Sequence, residues 1–91
     1  MKKGERKMTA KEMFEELGYE QTMNIDGLIE YIDYIDYNHN EIGYIYIRFD
    51  LFWKSYEVGY FDGKTKTEKA IVATTAEHKA ITKQMKELGW I

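Results

Sequence analysis

The 91-residue chain is 44% hydrophobic and 15% aromatic and has a net charge of −3, which predicts one domain and excludes two independent cores. Cysteine is absent, so a disulfide, a thiolate metal site and a cysteine nucleophile are all excluded. No apolar run approaches the roughly 20 residues needed to cross a bilayer, and no apolar signal core follows the basic start. We therefore expect a cytoplasmic protein without membrane contact, with residues 1–8 as a flexible leader and residues 9–91 as a single domain.

The charge is unevenly distributed along the chain. Residues 20–63 carry nine acidic and two basic side chains, a net charge of −7, whereas residues 64–91 carry +3. Such segregation influences which partners are attracted to the protein and does not determine its fold.

Two helices are predicted, one at each end of the domain. Thr9 and Glu12 form a capping box that begins the first helix, its apolar residues recur at helical spacing, and Gly18 ends it in the left-handed conformation. The second helix repeats this order, with a capping box at residues 74–77 and Gly89 as its stop. The two apolar stripes are Ala10, Met13, Phe14 and Leu17 in the first helix and Ala80, Ile81, Met85 and Leu88 in the second.

Between the helices the chain is rich in β-branched and aromatic residues, which predicts an antiparallel sheet. Three main strands are expected over residues 28–37, 42–50 and 56–61, and an edge strand over residues 70–73 would be a fourth. The connections are a hairpin loop at residues 38–41, a bend at 51–54 and a turn at 62–64. The predicted fold is therefore α+β, with the order α-β-β-β-(β)-α.

The strand at residues 42–50 alternates cleanly. Ile45, Ile47 and Phe49 fall on the face expected to meet the helices, and Tyr44, Tyr46, Arg48 and Asp50 fall on the other face.

The preceding strand repeats Ile-x-Tyr every three residues over residues 29–37, which conflicts with the two-residue period of a strand. A bulge, burial of both faces, or an edge position would each resolve the conflict. A helix through Leu28, Ile32 and Ile35 is the competing interpretation.

Catalytic and cofactor motifs are not evident. His39 lies in the predicted hairpin loop and His78 in the first turn of the second helix, and neither has ligands patterned around it for zinc. The glycines are scattered and form no phosphate-binding loop. We expect no enzyme activity, no cofactor and no metal.

The acidic, tyrosine-rich sheet between the helices is the predicted binding surface. Tyrosine combines apolar area with a hydroxyl group at low entropic cost, which is why protein interfaces are enriched in it. Its acidity favours a basic or nucleic-acid-binding protein as partner and argues against direct contact with nucleic acid. The alternative is that these tyrosines only cover the sheet or belong to the core. The candidate residues are Tyr31, Asp33, Tyr34, Asp36, Tyr44, Tyr46, Arg48 and Tyr56.

Two further functions remain open. Lys79, Lys83 and Lys86 recur on one face of the second helix and could contact phosphates in a small nucleic-acid-binding protein, although such a stripe is also typical of a solvated surface. A free sheet edge or the tyrosine face could also pair with a second copy in a homodimer.

Residues 8–20 (MTAKEMFEELGYE) and 78–90 (HKAITKQMKELGW) resemble the opening and closing segments of small proteins from temperate phages and prophages of Gram-positive bacteria. The resemblance covers about a third of the chain and transfers no catalytic residue. It implies an accessory protein made in the bacterial cytoplasm. Together with the acidic central segment, it suggests an inhibitor of a host nuclease or defence system, such as a CRISPR effector, that mimics nucleic acid.

Overall fold

The structure is a computed structural model that describes residues 7–38 and 41–91, with the side chains of residues 36–38 and 41 outside the description. Its elements in chain order are α1 (Ala10–Glu16), β1 (Glu20–Ile25), β2 (Leu28–Asn38), β3 (Glu41–Asp50), β4 (Ser55–Asp62), β5 (Thr67–Ala70) and α2 (Thr75–Glu87). The five strands form one antiparallel sheet in sequence order. The α+β class with a helix before and after the sheet is confirmed.

The sheet has one strand more than the sequence predicted. The additional strand is β1, whose sequence Glu-Gln-Thr-Met-Asn-Ile lacks a run of β-branched or aromatic residues. It joins β2 through Asp26 and Gly27, and Gly27 has the positive φ of +85° that such a tight turn requires. An edge strand follows β4 as expected, but it is β5 at Thr67–Ala70, and of the predicted residues 70–73 only Ala70 belongs to it.

Both helices begin and end as predicted. The hydroxyls of Thr9 and Thr74 each accept a hydrogen bond from the backbone N–H three residues later, at 3.1 Å, and both capping boxes are complete. Gly18 and Gly89 have φ of +98° and +78°. These local signals were decisive because a helix end is specified by residues within a single turn.

The three-residue pattern in β2 is explained by a bulge. The pairing of β2 with β3 shifts register between Tyr34 and Asp36, so Ile35 has no partner of its own. This result confirms the bulge among the alternatives and rules out a helix in this segment. Of the predicted hairpin loop, Asn38 pairs with Glu41, and residues 39 and 40 lie outside the described residues, as do residues 1–6 of the predicted leader.

Both helices lie antiparallel on the same face of the sheet. The backbone N–H of Ala10 donates to Glu87 Oε2 at 2.8 Å, and Tyr19 OH donates to Glu77 Oε2 at 2.7 Å, so the start of each helix meets the end of the other. Phe14 of α1 stacks on Tyr31 of β2 with ring centroids 4.1 Å apart. The buried core comprises Ala10, Phe14, Tyr19, Ile29, Tyr31, Ile47, Phe49, Val58, Ala80 and Ile81. No helix of the described residues is long and apolar enough to span a membrane.

Candidate functional site

The sheet face opposite the helices is the candidate site, and we call it the open face. The strand registers arrange its residues in rows that cross β2, β3 and β4. The rows are Tyr34, Tyr44 and Phe61, then Ile32, Tyr46 and Gly59, then Glu30, Arg48 and Glu57, and finally Leu28, Asp50 and Ser55. Glu20 of β1 and Glu68 of β5 extend the same face at its two sides.

A network around Arg48 occupies the centre of the open face. The guanidinium donates to Glu30 at 2.6 Å, to Glu57 at 3.3 Å and to Glu68 at 3.3 Å. Glu30 is buried and also accepts a hydrogen bond from the hydroxyl of Thr22 at 2.7 Å. Burial opposes the charge of Arg48, but the hydrogen bonds and charges of Glu30 and Glu68 outweigh it and raise the pKa of Arg48. One cation is therefore fixed among three carboxylates, which leaves the network negative.

Tyr46 lies beneath this network and is only 4% exposed. Its ring covers Gly59, where a Cβ atom would overlap the ring. The guanidinium of Arg48 lies over the Tyr46 ring, 3.9 Å from its centroid, in cation–π geometry. Glycine at residue 59 thus lets the Tyr46 ring lie flat, and the ring in turn supports Arg48.

The row of Tyr34, Tyr44 and Phe61 supplies the aromatic part of the open face. Tyr44 stacks on Phe61 with centroids 4.9 Å apart and meets Tyr34 edge-on at 5.8 Å. All three side chains are half-buried. They remain available to a partner while holding one another in place.

At the end of the open face lies a depression of about 210 Å³. It is lined by Leu28, Arg48, Asp50, Ser55, Tyr56 and Glu57. The carboxylate of Asp50 is already used by the β3–β4 turn, since it accepts hydrogen bonds from the N–H groups of Phe52 and Trp53 at 2.9 Å each. The described residues contain no group of three or more His, Asp or Glu side chains that could hold a metal ion.

The structure divides the predicted binding residues between the two faces. Tyr44, Tyr46 and Arg48 lie on the open face, as the alternation of β3 predicted, and Tyr34 of β2 lies beside Tyr44 on the same face. Tyr56 and Asp33 lie on the helix-covered face, opposite Phe49 and Ile45. Tyr31 is 1% exposed within the core, which removes it from the candidate surface. The side chain of Asp36 lies outside the described residues.

The division follows from strand pairing that the three-residue repeat obscured. Before the bulge, the even-numbered residues of β2 face away from the helices, so Glu30 and Ile32 join the open face while Tyr31 does not. The same pairing selects Glu57 and Phe61 in β4 in place of the predicted Tyr56. Glu30, Glu57, Glu68 and Phe61 were missed, although pairing β2 and β4 with the correctly assigned β3 would have found the first two and Phe61.

The two core tyrosines, Tyr19 and Tyr31, are buried, and both hydroxyl groups are hydrogen-bonded to side chains of α2. Tyr31 OH donates to Gln84 Oε1 at 2.7 Å and accepts from Gln21 Nε2 at 3.1 Å. Burial raises the pKa of Tyr31 and, together with the hydrogen bond to Glu77, that of Tyr19. These hydroxyls stay protonated, and they connect β2, through Tyr31, and the α1–β1 linker, through Tyr19, to α2.

Two surfaces lie outside the open face. Lys79 and Lys86 are exposed on α2 and Lys83 is half-buried, on the side of the helix away from the buried Ala80, Ile81 and Gln84. At the β3–β4 turn, Phe52 and Trp53 are 77% and 74% exposed. Their rings meet edge-on, with centroids 5.0 Å apart.

The chain matches no protein-family model, no curated protein sequence and no solved structure. What the fold and the site define is a class of architecture: a small α+β domain whose antiparallel sheet has one helix-covered face and one acidic, aromatic open face.

Proposed function

We propose that the protein is a small non-enzymatic interaction module whose open face binds a basic surface on a protein partner. The observation that carries the proposal is the Arg48 network, in which a single guanidinium is held by Glu30, Glu57 and Glu68. The cation is internally neutralised, so a partner meets the remaining negative charge.

Charge supports a basic partner. The described strand side chains of the open face include five carboxylates, on Glu20, Glu30, Asp50, Glu57 and Glu68, against the one guanidinium of Arg48. A surface of this kind steers association with a cationic partner and repels the phosphates of nucleic acids.

The fixed positions of side chains on the open face also support binding. The carboxylates of Glu57 and Glu68 are fixed by Arg48, and Tyr44 is held between Tyr34 and Phe61. Side chains that are already in place lose less conformational entropy when a partner binds. Aromatic rings beside ordered charges are typical of interface centres.

A sharper form of the proposal combines this face with the phage resemblance of the chain ends. A phage accessory protein in the bacterial cytoplasm could inhibit a host nuclease or defence system, such as a CRISPR effector, by covering its nucleic-acid site. The carboxylates would then stand where phosphates normally bind, as in a nucleic-acid mimic.

The test compares two double variants with the same change in net charge. Glu57→Gln with Glu68→Gln removes two negative charges from the open face, and Glu15→Gln with Glu16→Gln removes two from exposed positions on α1. Each is immobilised beside the wild type, proteins captured from a Gram-positive bacterial lysate are identified by mass spectrometry, and the affinity of each captured basic protein is measured.

We expect a basic partner to bind the wild type and the α1 variant alike and to bind the open-face variant at least about tenfold more weakly, a change of about 1.4 kcal/mol. Competition by DNA or RNA for the same partner would support the nucleic-acid-mimic form. If the open-face variant bound the captured partner as tightly as the wild type does, the proposed site would be refuted.

A second function is proposed on the exposure of Lys79 and Lys86 along the outer side of α2. A small nucleic-acid-binding protein would use these residues with Lys83 to contact phosphates. Retention of DNA or RNA would then fall with salt at a log–log slope of about −2 to −3 for three phosphate contacts. Changing the three lysines to glutamate should abolish retention, and the absence of any binding at low salt would exclude this function.

A further inference from the structure

Among the described residues no strand pairs with the outer side of β1 or β5, and these two free edges differ in how they are protected. β5 is four residues long, contains Lys69 and follows Lys64 and Lys66, features that discourage pairing with another strand. β1 is six residues long and contains no lysine, arginine or proline. It is therefore the edge better suited to accept a strand.

The second half of β1 exposes apolar side chains. Met23 and Ile25 are 41% and 63% exposed, and both pair with open-face residues of β2, so they project on that side of the sheet. The register shift of β1 lies between Gln21 and Met23, which leaves residues 23–25 as a regular segment.

The backbone of this segment directs one residue outward. β1 and β2 are joined by a two-residue turn, and the pair that closes such a hairpin, Ile25 with Leu28, exchanges its hydrogen bonds. Because bonded and non-bonded pairs alternate, the N–H and C=O of Asn24 point away from β2, toward the free edge.

We propose that β1 pairs antiparallel with β1 of a second copy of this chain, about a twofold axis at Asn24. In this register the two Asn24 residues exchange backbone hydrogen bonds, and Met23 of each copy lies opposite Ile25 of the other. Both exposed apolar side chains are then covered on each copy. The acidic Glu20 lies beyond the paired segment, so equal charges do not oppose each other within it.

The dimer has a consequence for the open face. A twofold axis perpendicular to the sheet places both open faces on the same side, so the ten strands form one continuous sheet with two acidic faces side by side. The paired segment comprises only residues 23–25 of each copy, far fewer than the roughly 20–30 residues a side of a stable interface. The association is consequently weak and depends on concentration.

The test uses the protein itself as the probe. Sedimentation from about 10 µM to about 1 mM covers the range of a weak dimer, and the wild type is expected to move from monomer toward dimer. Met23→Lys with Ile25→Lys should raise the dissociation constant at least about tenfold. The matched control, Val72→Lys with Ile91→Lys, makes the same change at two exposed apolar residues away from β1 and should leave dimerisation unchanged.

Hydrogen exchange gives an independent readout on the unmodified chain. Exchange of the Asn24 amide should slow as the concentration rises, while exchange of the β5 amides should not change. A strict monomer across the range overturns the proposal. A dimer whose dissociation constant is unchanged in the β1 variant, or is raised equally in the control, also overturns it. An Asn24 amide whose exchange rate does not change with concentration overturns it as well.

Discussion

The two faces of the sheet are ordered in different ways although the same strands build both. On the helix-covered face, Phe14, Tyr31 and Phe49 pack as fully buried rings, and the hydroxyl of Tyr31 bonds to Gln84. On the open face, Tyr34, Tyr44 and Phe61 stay half-buried beside a charged network. One face is fixed by apolar burial and the other by ion pairs and ring stacking, so substitutions on the two faces should differ in cost.

The largest expected loss of folding stability comes from a substitution on the helix-covered face. Phe14→Ala removes a completely buried ring that contacts Tyr19, Tyr31 and Phe49, and it should lower the free energy of unfolding by about 3–5 kcal/mol. Phe61→Ala removes a half-buried ring that stacks on Tyr44 and should cost about 1 kcal/mol. Urea denaturation followed by circular dichroism measures both.

Phe14→Leu keeps this comparison measurable if the alanine variant does not fold. It retains part of the buried volume and should still cost more than Phe61→Leu, the matched change on the open face. Equal costs for the two leucine variants would contradict the difference in packing between the faces.

The next largest expected loss of folding stability comes from the Arg48–Glu30 ion pair, and it tests the contribution of charge apart from packing on the open face. Arg48→Met leaves the buried Glu30 carboxylate with the Thr22 hydroxyl as its side-chain hydrogen-bond donor among the described residues, and it should cost about 2–3 kcal/mol because a buried carboxylate loses its cation. Glu30→Gln should cost less, since Arg48 keeps Glu57 and Glu68. Urea denaturation of both single variants and of the double variant gives the coupling energy.

The double variant should be less destabilised than the two single costs added together, because it removes the uncompensated charge. Additive costs would show that Arg48 and Glu30 contribute independently. The opposite order, with Glu30→Gln the more damaging change, would contradict the assignment of Glu30 as the buried member of the pair.

Sequence reasoning was accurate where the determining residues are close together in the chain. Both capping boxes, both glycine stops and the two faces of β3 were predicted from patterns within a few residues. It failed for β1, whose polar sequence becomes a strand because it pairs with β2 across the Asp26–Gly27 turn. That Asp-Gly pair is a recognised hairpin signal and could have revealed the strand.

The candidate site was harder to predict because it depends on pairing between strands. The registers of β2 and β4 against β3 decide which of Tyr31, Asp33, Tyr34 and Tyr56 share a face with Arg48. Glu68 reaches Arg48 from β5, two strands away from β3 in the sheet, and its local sequence carries no sign of this contact. Contacts of this kind appear only once the sheet is assembled.

The smallest expected effect concerns Asp33, an acid on the helix-covered face. Its carboxylate lies beside Gly18, and burial, followed by the charge of Glu77, raises its pKa above the ordinary value of 3.8. The protonated form therefore favours the folded state at pH below about 3.8, and this contribution is lost as the pH rises through the folded-state pKa. At neutral pH the ionised carboxylate weighs against folding.

Asp33→Asn should accordingly raise the free energy of unfolding at pH 7, by a few tenths of a kcal/mol at roughly physiological salt because partial exposure screens the charge. The gain should shrink toward pH 3, where the wild-type carboxyl is largely protonated. Thermal denaturation at pH 3, 5 and 7 measures it, and Asp26→Asn on the exposed β1–β2 turn makes the same change in net charge as a baseline. If Asp33→Asn lowered stability at pH 7, the carboxylate would be a favourable partner in the fold, and the helix-covered face would owe part of its order to charge, as the open face does.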